Sequence, residues 1–331
     1  MKPFELIPPI KDYIWGGTRL RDEYGKESGL ERLAESWELS CHKDGESIVA
    51  DGEYAGKTLS EFLSVHPEAL GEHCTEFRDF PILVKLIDAR DNLSVQVHPD
   101  NEYARKYEND NGKTEMWYIV DCDEGAELIY GFKEKITKEM FRKAIEENTL
   151  LDYVNRVPVK KGDVFFIEPG TLHAIGKGIL IAEIQQSSNV TYRVYDYGRT
   201  GADGKPRELH IEKALEVTAV EPPSRKYGQP EAVKMPHAWR TPLAFCEYFS
   251  TVKYDISDYL QFSSPESFFH ILVIEGEADI YCENHEDAQS EDSRIIKLKK
   301  GSSVFVPAGA DPCYIKGRCT IILTNNVRRN S

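Results

Sequence analysis

Residues 160–176, KKGDVFFIEPGTLHAIG, contain a Lys-Lys-Gly turn, an apolar strand, a Pro-Gly turn and a histidine. The same order returns at residues 299–309, KKGSSVFVPAG, where Asp311 and Pro312 stand in place of His173. Strands separated by such turns, in two copies, are typical of a double-stranded β-helix, or jelly roll. The sequence therefore predicts a mainly β protein with two β modules, of which only the first has the histidine.

Interruptions in the strand pattern predict how the two modules are divided. Residues 220–236 hold several prolines and no apolar periodicity, which indicates a linker. We expect a first module over residues 1–235 and a second over 236–331, without a metal. A small helical insertion is expected near residues 137–155, with Thr137 as its cap and Phe141, Ala144 and Ile145 on one face. A shorter helix is expected over residues 102–108 after Asn101 as a cap.

Composition narrows the class of function. The chain has 331 residues and a net charge of −15, which argues against nucleic-acid binding. An anionic substrate would need a local cationic pocket, so basic residues near the proposed site are significant. It has no apolar run long enough to cross a membrane and no signal-peptide pattern at its start. Seven cysteines without regular spacing indicate reduced thiols. We expect a cytoplasmic protein, either a monomer or a weak homo-oligomer.

Polar residues on strand edges form the strongest functional pattern. In LSVQVHP, residues 93–99, an extended chain places Ser94, Gln96 and His98 on one face and the valines on the other. Glu115 opens an aromatic and apolar strand, and His173 follows the Pro-Gly turn. Two imidazoles, a carboxylate and an amide suit a divalent metal that prefers nitrogen and oxygen ligands. Taken singly, each residue is more typical of a surface turn or a strand end.

Two lysines are candidate substrate ligands. Lys85 is the one charge in PILVKLI, residues 81–87, and burying it in a central strand is costly unless it meets an anion. The alternative is an edge strand from which its ammonium reaches water. Lys113 lies two residues before Glu115 and points to the same side if the chain is extended. Otherwise it is a solvated loop residue.

Glu183 and Arg193 lie on two successive predicted strands. Glu183 shares the face of Ile179 and Ile181, which makes it a candidate buried carboxylate with a shifted pKa. An arginine can donate two hydrogen bonds to a phosphate from its planar guanidinium. The two residues can therefore be an acid-base group and an anion ligand. They can equally form a cross-strand ion pair with a purely structural role.

Several strings together resemble the type I mannose-6-phosphate isomerase (phosphomannose isomerase) family, in its short bacterial form. They are WGG at 15–17, ESWELS at 35–40, GKTL at 56–59, LSVQVHPD at 93–100, GKTEMWY at 112–118, PGTLHAIG at 169–176 and EIQQSSNVTYRVYDYGR at 183–199. The resemblance implies a cupin-type jelly roll. It also implies one zinc ion bound by four residues: Gln96, His98, Glu115 and His173.

The resemblance further implies that Arg193 is an active-site arginine, that Lys85, Lys113 and Ser94 lie near the zinc, and that Glu183 lines the pocket. Ile175 departs from the long members of the family, which carry an aromatic residue there. The implied reaction interconverts the hexose phosphates mannose 6-phosphate and fructose 6-phosphate through a cis-enediol. Glu183 is the first candidate for the base and a zinc-bound water the second.

Two other functions stay open at this point. A cupin oxygenase would use Fe²⁺ on two histidines and one carboxylate. A non-catalytic sugar-phosphate-binding protein could keep the fold without the chemistry. Metal analysis and oxygen uptake distinguish the first from an isomerase, and a turnover assay distinguishes the second.

Overall fold

The computed structural model describes residues 1–201, 204–282 and 295–327, and antiparallel strands make up most of it. Up to residue 201 the strands are β1 (Phe4–Ile7), β2 (Ile10–Lys11), β3 (Glu35–Leu39), β4 (Cys41–His42), β5 (Gly45–Glu46), β6 (Ile48–Val49), β7 (Ile82–Ala89), β8 (Val95–Val97), β9 (Glu115–Cys122), β10 (Glu127–Phe132), β11 (Val154–Pro158), β12 (Val164–Ile167), β13 (His173–Ala174), β14 (Ile179–Gln186) and β15 (Tyr192–Tyr195).

The later strands are β16 (Val233–Lys234), β17 (Ala238–Phe245), β18 (Ser250–Ile256), β19 (Tyr259–Phe262), β20 (Phe269–Cys282), β21 (Ile296–Lys299), β22 (Ser303–Val306) and β23 (Cys313–Asn325). The α-helices are α1 (Arg19–Asp22), α2 (Leu59–Val65), α3 (Asn101–Tyr107), α4 (Lys138–Glu146) and α5 (Ile211–Val217). Short 3-10 helices span Pro67–Leu70, Glu72–Cys74 and Leu150–Asp152.

Two sheets enclose the first core. One has the order β12-β9-β14-β7-β3-β2 and the other β11-β10-β13-β8-β15. Apolar side chains from both, including Trp117, Ile181 and Tyr130, pack into one buried cluster between them. Ile175 belongs to this cluster and is buried. The six-stranded sheet is covered on its other face as well, so β7 and β14 are buried along their whole length.

Helices cover the outer face of the five-stranded sheet. Helix α4 begins where the insertion was predicted, and the Thr137 side chain accepts a hydrogen bond from Met140 N at 3.1 Å. The predicted end at residue 155 is too late, because α4 ends at Glu146 and β11 begins at Val154. Phe141 and Ile145 pack there against Val95 and Val97 of β8. The predicted cap of α3 is wrong by one residue. Asp100 rather than Asn101 accepts from Tyr103 N, because a carboxylate placed just outside the first turn reaches that amide.

The C-terminal strands form a third sheet that also takes in the beginning of the chain. Its order is β16-β17-β18-β23-β20-β22-β1-β6, with β19 on β23 and β21 on β20. Phe4 of β1 lies opposite Phe305 of β22. Residues 220–232 contain no helix or strand, but the short strand β16 lies within the linker predicted over residues 220–236. The division at residue 235 stays a prediction. Strand β1 pairs across it with β22, and the sequence did not predict this pairing, because strands that are far apart in sequence leave no local pattern.

A shared apolar core joins the third sheet to the six-stranded one. Val84 and Met116 from the first module and Phe268, Leu272 and Phe305 from the second belong to the same buried cluster. The third sheet therefore packs on the six-stranded sheet over a hydrophobic surface. In the described ranges, no helix combines the length and the apolar character needed to cross a membrane.

The expectation that all cysteines are reduced is wrong for one pair. Cys282 and Cys313 form a disulfide between directly opposed positions of β20 and β23. They are 31 residues apart in sequence, and only the strand register brings them together. The other five cysteines are free thiols.

Candidate active site

Strand ends bring the four predicted metal ligands together. Gln96 lies in β8, with His98 directly after the strand, while Glu115 begins β9 and His173 begins β13. His173 is in register with Gln96, since β13 pairs with β8. The alternation expected for LSVQVHP is present: the two valines pack outward under the helices, and Ser94 and His98 are buried on the inner side.

The three charged or ionisable ligands form a tight, fully buried group. One ligand atom each from His98, Glu115 and His173 lies within 4.8 Å of the others. The two histidine Nε2 atoms are 3.1 Å apart, and His173 Nε2 is 3.4 Å from Glu115 Oε1. Among the described residues, Glu115 Oε1 has no hydrogen-bond donor, while Oε2 lies 2.6 Å from the Lys113 ammonium. This arrangement could hold a metal ion.

Backbone carbonyls fix which nitrogen of each imidazole faces the centre. His98 Nδ1 is 2.8 Å from Val190 O, and His173 Nδ1 is 2.8 Å from Thr171 O. A carbonyl only accepts, so each Nδ1 carries the hydrogen and each Nε2 presents a lone pair. Burial and the nearby Lys113 lower the pKa of His98 well below its ordinary value and that of His173 to about 3. Two facing lone pairs beside a carboxylate repel unless a cation lies between them, so the residues fit a divalent metal.

Gln96, the fourth predicted ligand, lies on the more open side of the other three, and we call the four residues the ligand ring. Its side-chain amide is 3.4 Å from His173 Nε2, and the residue is only partly buried. An amide can present either its nitrogen or its oxygen after rotation, and the oxygen is the atom that a metal would accept. The site therefore offers two nitrogens and two types of oxygen donor.

Lysines and carboxylates alternate beneath this ring. Lys85 lies in the central strand β7 and is buried, so the edge-strand alternative is wrong; its Nζ is 3.1 Å from Glu183 Oε1 and 3.7 Å from Glu35 Oε2. Lys113 is buried rather than solvated, and its Nζ is 2.6 Å from Glu115 Oε2 and 3.8 Å from Glu183 Oε1. Each buried ammonium thus faces more than one carboxylate, which offsets its desolvation.

Opposite charges determine the ionisation of this group. Burial alone would raise the pKa of Glu183, but Lys113 and Lys85 hold it below its ordinary value, and Trp117 Nε1 donates to Glu183 Oε2 at 3.0 Å. Burial alone would lower the pKa of Lys85, but Glu35 and Glu183 raise it. Burial raises the pKa of Glu115 despite the neighbouring Lys113. Glu183 and Lys85 are therefore both charged over the neutral pH range.

Arg193 lies on the opposite sheet from Glu183, so the suggested ion pair between them is wrong. Strand β14 pairs with β7, and its Glu183 faces Lys85; β15 pairs with β8, and its Arg193 is in register with Gln96. Because β14 and β15 follow each other in the sequence, we expected them to be neighbours in one sheet. The chain instead crosses from the six-stranded to the five-stranded sheet between them. Arg193 Nε instead donates to Ser94 Oγ at 3.3 Å, and Nη1 to Glu208 O at 2.9 Å.

Two further arginines near Arg193 were not singled out from the sequence. Arg207 Nε donates to Asp196 Oδ2 at 2.7 Å, and Arg199 also pairs with Asp196. Burial and then the charge of Arg207 lower the pKa of Arg193. We call Arg193, Arg199 and Arg207 the arginine cluster. It carries three positive charges, and the carboxylates of Asp196 and Glu208 lie nearby, so the cluster is locally positive although the chain as a whole is acidic.

The sequence contained a partial indication of this cluster. The string YDYGR, which ends at Arg199, was part of the family pattern, but nothing in it predicts that a carboxylate will hold two arginines. Residues 202–203, within the loop between these two arginines, lie outside the described part of the chain.

Comparisons with known proteins bear on both modules. The family model for the catalytic domain of type I phosphomannose isomerase matches residues 4–132. The model for the mannose-6-phosphate isomerase cupin domain matches residues 240–326. The mannose-6-phosphate isomerase ManA of Bacillus subtilis is 40% identical over 98% of this chain and 99% of its own length. The mannose-6-phosphate isomerase of Streptococcus mutans is 37% identical, with 98% of each chain covered.

Solved structures agree with the fold. A crystal structure of the Bacillus subtilis mannose 6-phosphate isomerase superposes with a TM-score of 0.88 at 38% identity, covering 98% of this chain and 99% of that one. A protein of Archaeoglobus fulgidus with a TM-score of 0.76 and 22% identity shares the fold.

Proposed function

The chain belongs to the type I phosphomannose isomerase family, a family of mannose-6-phosphate isomerases, and on that premise we propose the details of its chemistry. The proposed reaction is the zinc-dependent interconversion of mannose 6-phosphate and fructose 6-phosphate through a cis-enediol. The observation that carries the metal requirement is the pair of facing Nε2 lone pairs beside Glu115, held by two backbone carbonyls.

Gln96, His98, Glu115 and His173 would hold the zinc ion. When bound there, zinc supplies a Lewis acid that stabilises negative charge developing on the sugar oxygens at C1 and C2. The donors are nitrogen and oxygen without a thiolate, and the partly buried Gln96 side leaves room for a substrate oxygen. We place the reacting end of the sugar at this side.

We assign the phosphate to the arginine cluster rather than to the lysines. Lys85 and Lys113 each face carboxylates at ion-pair distances and are buried, so they carry little uncompensated charge. The arginine cluster has three cations against two nearby carboxylates, Asp196 and Glu208, and so retains a net positive charge. Because Arg193 is in register with the ligand Gln96, a substrate can contact the ligand ring and the cluster together. Ser94, which accepts from Arg193, lies beside the same path.

The role proposed for Glu183 changes with this geometry. Both oxygens of Glu183 are contacted by other groups, Oε1 by Lys85 Nζ at 3.1 Å and Oε2 by Trp117 Nε1 at 3.0 Å, so neither is free to take a proton from carbon. We propose that Glu183 keeps Lys85 and Lys113 protonated and in place. The ammonium of Lys113, 3.1 Å from His98 Nε2, is then the group placed to donate a hydrogen bond or a proton to a sugar oxygen.

A coupled assay for fructose 6-phosphate tests the proposal. Activity should be measured on the purified protein, after chelation, and after zinc is added back. We expect activity to disappear with the chelator and to return with zinc. A protein that binds one zinc per chain but does not turn over mannose 6-phosphate would refute the isomerase function. Oxygen uptake restored by Fe²⁺ alone would support the oxygenase instead.

The phosphate assignment has its own test. Arg199→Ala or Arg207→Ala should lower kcat/KM for mannose 6-phosphate roughly 10- to 100-fold, as expected for losing a charged hydrogen bond. The loss should appear mainly in KM, and inorganic phosphate should inhibit the variant less. Arg142→Ala is the matched control, because Arg142 pairs with Glu212 on an exposed surface. Equal effects of the three substitutions would contradict the assignment.

We propose that the protein is located in the cytoplasm. We propose mannose 6-phosphate as its small-molecule partner. A count of free thiols on protein purified without exposure to oxidants would show whether the Cys282–Cys313 disulfide exists there.

A further inference from the structure

A β-bulge in strand β3 lies where the two modules meet. The pairing of β3 with β7 is regular from Glu35 to Trp37, but the register then shifts, and Leu39 rather than Glu38 pairs with Val84. The extra residue is Glu38. A bulge of this kind changes the direction of the side chains on either side of it, and such bulges are frequent beside active sites.

The residues before the bulge belong to the active site. Trp37 is fully buried in register with Lys85, and the Lys85 ammonium lies 5.1 Å from the centre of its ring. Trp37 Nε1 donates to Glu35 Oε2 at 2.7 Å, and that same oxygen is 3.7 Å from Lys85 Nζ. Residues Glu35 and Trp37 therefore form one wall around Lys85.

The C-terminal module contacts the backbone of Glu38 directly, and it contacts the side chain through Lys26. The Glu38 backbone oxygen accepts from Ser303 Oγ at 2.7 Å. Its side-chain Oε2 accepts from Lys26 Nζ at 2.7 Å, and Lys26 Nζ also donates to Gly301 O at 2.6 Å. Glu38 is fully buried and Lys26 nearly so. A buried ion pair with this geometry resists displacement, because separating it leaves an unpaired charge in the core.

Neighbouring groups hold this contact in place. His270 Nε2 lies 2.9 Å from Ser303 Oγ; since that hydroxyl donates to Glu38, the imidazole nitrogen is the donor to it. Gly301 has φ +91°, and a Cβ built on it would be 2.2 Å from Tyr24 O. The glycine of the second KKG string is thus required for the close approach of its loop to the first module.

We propose that Glu38 is a positioning residue for the isomerase reaction: Lys26, Gly301 and Ser303 hold it so that the bulge keeps Trp37 and Glu35 against Lys85. On this inference, which rests on the proposed function, the C-terminal module provides a fixed surface for one wall of the active site. This role requires a side-chain hydrogen-bond acceptor at residue 38 for Lys26. It also requires the hydrogen bond from Ser303 Oγ to the backbone oxygen of residue 38. A negative charge there is not required for turnover.

Variants at residues 38 and 303 test this inference. We expect Glu38→Ala and Ser303→Ala to lower kcat by on the order of 10- to 100-fold, the cost of small misplacements of active-site groups. KM should stay within about twofold of the wild-type value, because the arginine cluster lies on another sheet and is untouched. Glu38→Gln keeps an acceptor for Lys26 and should retain most of kcat. Zinc content per chain should stay unchanged in all three.

Thr251→Val is the matched control. Thr251 of β18 and Thr324 of β23 form a fully buried hydroxyl pair in the C-terminal sheet, 3.4 Å apart, and neither strand pairs with β3. It should lower thermal stability without changing kcat. If Glu38→Ala fails to fold, Ser303→Ala still decides the question.

Two results would overturn the inference. One is a Ser303→Ala protein that loses thermal stability but keeps wild-type kcat with full zinc content. The other is a Glu38→Gln protein as impaired as Glu38→Ala. A wild-type protein without isomerase activity would instead refute the proposed function, and the two failures are therefore distinguishable.

Discussion

Replacing Glu183 by glutamine should destabilise the fold strongly, although the side chain keeps its size. The carboxylate lies 3.1 Å from Lys85 Nζ and 3.8 Å from Lys113 Nζ, and Trp117 donates to it at 3.0 Å. All these groups are buried. Removing one partner of a buried ion pair costs about 3–5 kcal/mol, because the remaining ammonium groups lose part of their compensation. We expect a loss of this size in the free energy of unfolding at pH 7.

The dependence on pH identifies the cause. The pKa of Glu183 is lower in the folded protein than in the unfolded chain, so its stabilising contribution is complete above the ordinary carboxyl pKa of about 4.3. The contribution is lost as the pH falls through the folded value. The difference in unfolding free energy between wild type and Glu183→Gln should therefore shrink below about pH 4.

Urea titrations of the two proteins across this pH range measure the effect, with Glu212→Gln as control. Glu212 also pairs with a cation, Arg142, but on an exposed surface, and its replacement should leave the unfolding free energy essentially unchanged. A Glu183→Gln protein no less stable than the control would refute the reasoning. So would a difference that does not change in acid.

Three further outcomes are expected. Arg193→Ala should keep its zinc and lose most turnover, because Arg193 contacts Ser94 and not the ligand atoms. Metal analysis checks this, and a zinc-free variant would contradict the separation of substrate binding from metal binding. His173→Ala should lose zinc and activity together, and activity restored by zinc would contradict its place among the ligands. Gly301→Ala should have an unfolding free energy about 1–3 kcal/mol lower than that of Gly125→Ala, measured in urea. Both glycines have positive φ, but of the two only Gly301 has backbone atoms where a Cβ would lie. Equal losses of unfolding free energy would exclude the close contact.

The local features of this protein were determined by its sequence. Alternation in LSVQVHP predicted the inward face of β8, and the cap at Thr137 predicted the start of α4. Each KKG string precedes a strand, as predicted: β12 follows the first and β22 the second. These signals are readable because side-chain direction in a strand and hydrogen bonding at a helix start depend on residues a few positions apart.

Partners across the sheets were decided only by the tertiary structure. Sequence order placed Glu183 beside Arg193, but the chain changes sheets between them, and the partner of Glu183 is Lys85, almost a hundred positions earlier. The arginine cluster, the Cys282–Cys313 disulfide and the pairing of β1 with β22 depend likewise on register between distant strands. The energy of these contacts comes from burial and from charge in a low-dielectric interior, which exist only once both sheets have formed.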